Sequence, residues 1–333
     1  MHGLYLLWFV QEKGLSPAIV AAILAAGDLL LLLVEVPTGW FADRFGHRAS
    51  LLLGSTIQTI GMLWCWFGEG VPGLLIASAL VALGDGFRSG ATQALLYRTC
   101  VALDREQLFQ RIEARATAVE TAALALLVVA GGVIVSAWGF AAGWLAEVLL
   151  CTIGLALAAA MTEPPVAPDA NSDDEAKGER LAAWMRLTTA ILPAALLGGA
   201  ASAASFLAQT TVVSDPITVT WLVATITVAE AAGAAIAHKL PSDARMQIVL
   251  GALGAVCCAA GALHPLLFLA ATPALALLNG LAHPLRATLL QRLASDDVRA
   301  RIASLASACD MAISTIALPL AGVSATRRRT RRM

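Results

Sequence analysis

The stretch 16–39 is almost wholly apolar, and only Asp28 and Glu35 interrupt it. As a helix of about 36 Å it would exceed the roughly 30 Å hydrocarbon core of a bilayer. Comparable runs follow at 49–67, 72–97, 114–135 and 140–161, and again at 184–213, 217–237, 246–263, 266–293 and 298–323. With the short apolar start 1–11, this makes about eleven hydrophobic segments. No water is available inside lipid to satisfy backbone N–H and C=O groups, so segments of this kind must be helices. Apolar residues make up 59% of the 333 and charged residues only 14%. The mean hydropathy is +0.77. The expected fold is therefore all-α and polytopic, with a lipid bilayer as its solvent.

Composition also narrows the function classes. The net charge of −1 is uninformative, but no segment outside the extreme C-terminus offers the basic face that nucleic acid would need. Cys65, Cys100, Cys151, Cys257, Cys258 and Cys309 stand singly or adjacent in mostly apolar runs, without C-x-x-C spacing, and read as reduced packing residues. No H-E-x-x-H or G-x-S-x-G pattern occurs, which argues against a membrane enzyme. Neither a metal nor an organic cofactor is expected. A cleavable signal peptide is not evident, because the first stretch lacks a basic start.

The segment order and its punctuation divide the chain. Ser16 is placed to cap the second segment, with Pro17 at its first helical position. Residues 162–179 hold Pro164, Pro165, Pro168, Asp173, Asp174 and Glu175, the composition of a solvated linker. The expected organisation is a hydrophobic half over 1–161, a cytoplasmic linker over 162–179, a second hydrophobic half over 180–323 and a basic tail over 324–333. Lys and Arg concentrate in alternate loops, which places those loops on the cytoplasmic side, whereas the opposite loops hold only Lys13. The arginine-rich tail 327–332 follows an odd-numbered segment and breaks the alternation.

The most specific stretch lies between the second and third segments, Gly39-Trp40-Phe41-Ala42-Asp43-Arg44-Phe45-Gly46-His47-Arg48. A tight loop here calls for glycine where helices approach or the backbone turns with positive φ, which suits Gly39 and Gly46. Arg44 and Arg48 mark a cytoplasmic edge, and Asp43 can pair with an arginine or accept from a helix N-terminus. The simpler reading is a turn with basic anchors and nothing more. This stretch resembles the G-x-x-x-D-R-x-G-R-[KR] signature of the major facilitator superfamily, filled by Gly39, Asp43, Arg44, Gly46 and Arg48, with His47 where an arginine is usual. The resemblance implies two helical bundles around a shared cavity, no enzymatic activity, and a gating role for these five residues. Set against twelve spans in that family, the first segment looks partial and the last is missing, so both ends are expected to be truncated.

Ionisable groups at membrane depth are costly and usually face a cavity or a partner. Asp28 and Glu35, seven apart, share a helix face. Asp85 and Arg88, three apart, can neutralise each other, so a structural salt bridge competes with a functional role. Ser202, Ser205 and Gln209 recur on one face, as do Asn279 and His283. In the family, spans one, four, seven and ten line the cavity, which makes these faces candidates for substrate contact. Bonds across helices, or to a carbonyl freed by Pro284, are the alternative. Glu120, Glu147, Glu230 and Asp310 are further possible proton carriers. The candidate substrate or proton residues are thus Asp28, Glu35, Asp85, Arg88, Gln209, Asn279, His283 and Asp310.

In relatives an acidic residue often follows the tyrosine of the fourth helix; here Arg98 follows Tyr97. Drug/proton antiporters of the superfamily carry G-P-x-x-G-G in the fifth span. This chain has Ala130-Gly131-Gly132 without the proline, so proton-driven export rests on little in the sequence. The expectation is a monomeric inner-membrane secondary transporter that moves a small organic molecule, by efflux, with protons as a possible coupling ion. The alternative is a non-transporting remnant or accessory protein of the same fold.

Overall fold

The structure, a computed structural model, describes residues 4–105, 108–164, 180–211, 216–293, 309 and 312–323. Asp310, the basic tail and most of the expected linker lie outside the described residues, as does the side chain of Asp43. The chain forms two compact units, Met1–Ala170 and Asn171–Met333. Among the described residues there is no strand, and eight helices are long and apolar enough to cross a membrane.

The first unit contains α1 (Tyr5–Gln11), α2 (Pro17–Phe45), α3 (His47–Phe67), α4 (Gly70–Ala102) and α5 (Phe109–Ala160). Ser16 caps α2 by accepting from the Ile19 N–H at 3.3 Å, with Pro17 at the first helical position. α1 is short but not loose: Leu6, Leu7, Trp8, Phe9 and Val10 are all buried. The Trp8 ring packs on Phe140 at 5.5 Å and edge-on to Trp144 at 6.0 Å, so α1 is held against α5 by aromatic contact.

Two expectations about local geometry change here. The stretch 39–48 is not a ten-residue loop, because α2 continues through Pro37 to Phe45 and α3 begins at His47. Gly46 alone separates the two helices, with φ 99°. That conformation is sterically open to glycine and strained for other residues. Gly39, by contrast, is helical, and a Cβ there would meet nothing within 4 Å. No close helix approach therefore occurs at Gly39, contrary to the expectation from the sequence. α5 spans 52 residues, about 78 Å if straight and more than twice the hydrocarbon core. It is broken at Gly139, where φ is 79° and ψ 175°, close to the Trp138-Gly139 break expected from the sequence.

Packing between lipid-embedded helices depends on close van der Waals fit, since lipid is as apolar as leucine. α3 and α4 meet backbone to backbone: a Cβ on Gly54 would lie 2.7 Å from the Gly84 carbonyl oxygen. Hydroxyls add cross-links. Ser50 Oγ donates to the Phe87 carbonyl at 2.8 Å, Thr38 Oγ1 to the Gly86 carbonyl at 3.0 Å and Ser78 Oγ to the Ile23 carbonyl at 3.1 Å. Large side chains such as Leu33, Leu126 and Trp138 stay exposed, as a lipid-facing surface requires.

The second unit contains α6 (Arg180–Thr211), α7 (Pro216–Ile236), α8 (Ala244–Leu263) and α9 (Pro265–Leu293), followed by an apolar helix Ala312–Val323. Asp243 caps α8 by accepting from the Met246 N–H at 2.8 Å. Ala194, Leu197, Leu250, Leu275, Leu278, Leu281 and Leu285 form the core between α6, α8 and α9. α7 approaches α9 at Gly233 and Gly280, where added side chains would collide with the backbone of the facing helix.

Candidate functional site

The Gly46 turn is the first place where polar groups converge. The N-terminus of α3 offers unpaired backbone N–H groups and a partial positive charge. Glu163 answers both: its Oε1 accepts from the His47 N–H at 3.0 Å and its Oε2 from the Arg48 N–H at 2.6 Å. Reciprocally, Arg48 Nη2 donates to the Ala159 carbonyl at 2.8 Å and Nε to the Met161 carbonyl at 2.5 Å, at the C-terminal end of α5. An acid on one helix start and a base on the neighbouring helix end make a reciprocal clamp, each charge complementing a helix dipole. Arg44 lies over the rings of Trp40 and Phe45, at 5.5 and 5.9 Å. Of the gating candidates, then, Gly46 forms the corner, Arg48 ties it to α5, Arg44 sits among aromatics on α2, and Gly39 is exposed.

A second convergence lies inside the first unit, a cavity of about 430 Å³. α2 contributes Asp28, α4 contributes Asp85 and Ser78, and α5 contributes Glu147 and Trp144. Asp28 and Asp85, predicted separately, thus share one cavity. Glu35, on the same face of α2, does not line it. Asp85 and Arg88 approach to 3.5 Å, and Gln58 bridges them from α3. Gln58 Nε2 donates to Asp85 Oδ1 at 2.8 Å, and Arg88 Nη1 donates to Gln58 Oε1. The local pair read from the sequence is thus a three-residue chain across two helices. The Trp144 side chain is 2% exposed, and its indole N–H has no hydrogen-bond partner.

In the second unit, Asn279 Nδ2 donates to Glu230 Oε1 at 2.8 Å, linking α9 to α7. Gln209 is buried and donates to Ser205 Oγ at 3.4 Å, with its Oε1 unpartnered. His283 is exposed on α9, four residues from Asn279. Among the described residues, no group of His, Cys, Asp and Glu could hold a metal ion.

Sequence reasoning missed Glu163 and Gln58. Glu163 stands at the edge of a run that reads as linker, and its partners are 115 and 116 residues away. Gln58 is one neutral residue among Ser55, Thr56 and Thr59 on α3, and Thr56 and Thr59 bond to carbonyls of their own helix. Its position one helix over from Asp85 is a tertiary fact.

The sequence pattern of the Major Facilitator Superfamily matches residues 1–319. A stretch of 88 residues is 31% identical to the isoprimeverose transporter of Lactiplantibacillus pentosus, covering 26% of this chain and 18% of that protein. A stretch of 92 residues is 36% identical to a multidrug resistance protein B homolog of Mycobacterium tuberculosis (strain ATCC 25618 / H37Rv), covering 27% of this chain and 17% of that protein. These matches thus span less than a fifth of either relative. The crystal structure of the POT family transporter PepTSo superposes with a TM-score of 0.71 at 12% identity, over 98% of this chain and 86% of that one, a likeness of fold. With helices of membrane-crossing length and a family match over nearly its whole length, the chain is a multi-pass membrane protein that belongs to the major facilitator superfamily.

Proposed function

We propose that the chain is a secondary transporter that carries a small organic molecule across the inner membrane by alternating access, in the direction of efflux. The observation that carries this reading is the cavity of about 430 Å³ among the helices of the first unit, with carboxylates from three of them at its wall. Polar groups at that depth are costly unless a pathway or ligand uses them. Alternating access works by rocking one bundle against another, so each bundle must move as a body. The clamp at Gly46 supplies that property locally: Arg48 and Glu163 join the start of α3 to the end of α5 through four hydrogen bonds. In this reading the bundles are 1–161 and 180–323, the linker is 162–179, and the working unit is a monomer. Asp43, three residues before the corner, biases which side is shut. Asp28 and Asp85 are the groups through which a substrate or proton acts on that bias. The efflux direction draws on the likeness to the multidrug resistance protein B homolog.

The test is reconstitution into vesicles with a single-cysteine reporter on each side of the first unit. Reporter accessibility should exchange between sides when solute is added, and Asp43→Asn should slow that exchange with membrane insertion unchanged. Accessibility fixed to one side under every condition overturns the transport reading.

A further inference from the structure

An amide stands between the two charges of α4. Arg88 Nη1 approaches Asp85 Oδ1 to 3.5 Å, yet the hydrogen bond it donates goes to Gln58 Oε1. Asp85 Oδ1 in turn accepts from Gln58 Nε2 at 2.8 Å. Left to themselves, a guanidinium and a carboxylate close to about 2.7–2.9 Å, commonly through two parallel bonds. Here the pair is held open, and each charge faces the matching end of one neutral dipole. The amide is fixed in the gap by backbone packing. A Cβ on Gly84 would lie 2.9 Å from Gln58 Cβ, and one turn earlier on α3 a Cβ on Gly54 would lie 2.7 Å from the Gly84 carbonyl oxygen. Ser50, a further turn back, bonds to the Phe87 carbonyl. A glutamine suits this position because its amide donates at one end and accepts at the other without carrying charge.

We infer that Gln58 is a positioning residue that keeps Asp85 available to the cavity by holding Arg88 off it. Asp85 lines the cavity, whereas Gln58 and Arg88 do not. Among the described residues, Asp85 makes its contacts through Oδ1 alone, which leaves its second oxygen for whatever enters. An acid closed into a bidentate pair would have both oxygens occupied, in bonds about twice as strong as those to a neutral group. An apolar side chain at position 58 would let Arg88 close on Asp85, and a carboxylate there would take Arg88 over. The two substitutions thus push Asp85 in opposite directions, which a mere loss of packing cannot do. The inference deepens the transport reading, on which the use of Asp85 by a solute rests.

Dicyclohexylcarbodiimide, a membrane-permeant reagent that adds to carboxylic acids and leaves a stable N-acylurea, reads how available each acid is. The full chain in nanodiscs is labelled at fixed pH, and the adducts on Asp85 and Asp28 are quantified by peptide mass spectrometry. Asp28, in the same cavity but outside the chain of bonds, reports any general loosening. Gln58→Met should slow labelling of Asp85 about tenfold and Gln58→Glu should speed it about tenfold, with Asp28 unchanged in both. In an Arg88→Gln background, Gln58→Met should no longer slow it. Either position-58 variant that folds decides the matter: Gln58→Met labelled at Asp85 as fast as wild type, or Gln58→Glu labelled no faster, overturns the inference. Parallel changes at Asp28, or slowing that persists without Arg88, overturn it too. Labelling needs no flux, so the two readings fail separately. Opposed shifts at Asp85 with accessibility fixed to one side remove only transport. Accessibility that exchanges sides without opposed shifts removes only the role of Gln58.

Discussion

Glu163 and Arg48 illustrate how two side chains can fix a corner that neither helix fixes alone. Glu163 supplies the acid that the N-terminus of α3 lacks in its own first turn, and Arg48 supplies the base that the end of α5 lacks. Removing either charge should cost about 1 kcal/mol, the usual scale for a helix cap or a dipole partner. Because both hold the same corner, the losses should not add. In apparent melting temperature, Glu163→Gln combined with Arg48→Ala should fall short of the sum of the single shifts by the equivalent of about 0.5 kcal/mol or more. Additive shifts would mean the two ends are held independently. What could be read at this scale was local. The Asp85–Arg88 approach follows from a spacing of three on a helix, and Ser16 with Pro17 announces a helix start. Gln58 and Glu163 could not be read, because their partners come from other helices.

At the scale of elements, apolar length located the helices well and their ends less well. α2 runs past Gly39 to Phe45 despite Pro37, because a glycine in a lipid-embedded helix need not end it when its neighbours carry the hydrogen bonds onward. The signature residues Asp43 and Arg44 therefore ride on the last turn of α2, where the sequence suggests a loop. Gly139 behaves as the break its neighbourhood suggested, and the reason is conformational. Its φ of 79° with ψ of 175° is accessible essentially to glycine alone. Gly139→Ala should destabilise the protein by about 1–3 kcal/mol, read as a lower apparent melting temperature in detergent. Its added methyl would meet no neighbour, so any loss is attributable to the backbone. An unchanged melting temperature would show that the break relaxes at no cost.

For the whole molecule, the helices of membrane-crossing length were legible because lipid imposes a length rule on every segment. The cavity was not legible. Asp28, Asp85 and Glu147 are 57 and 62 positions apart in sequence, and only the packing of α2, α4 and α5 brings them to one wall. The charge alternation makes a topological prediction for the first unit. A cysteine at Gly14 should react with an impermeant maleimide from the outside of intact cells, and one at Arg44 only after the cytoplasmic face is opened. Labelling of both from one side would refute the assigned orientation.

The clamp has a mechanical corollary. Since Glu163 is pinned to the first residues of α3, the chain that departs at Pro164 starts from a fixed post, and slack cannot accumulate ahead of it. A tug arriving from farther along the polypeptide would be delivered to the Gly46 bend first, which makes that bend the strain gauge of the first unit.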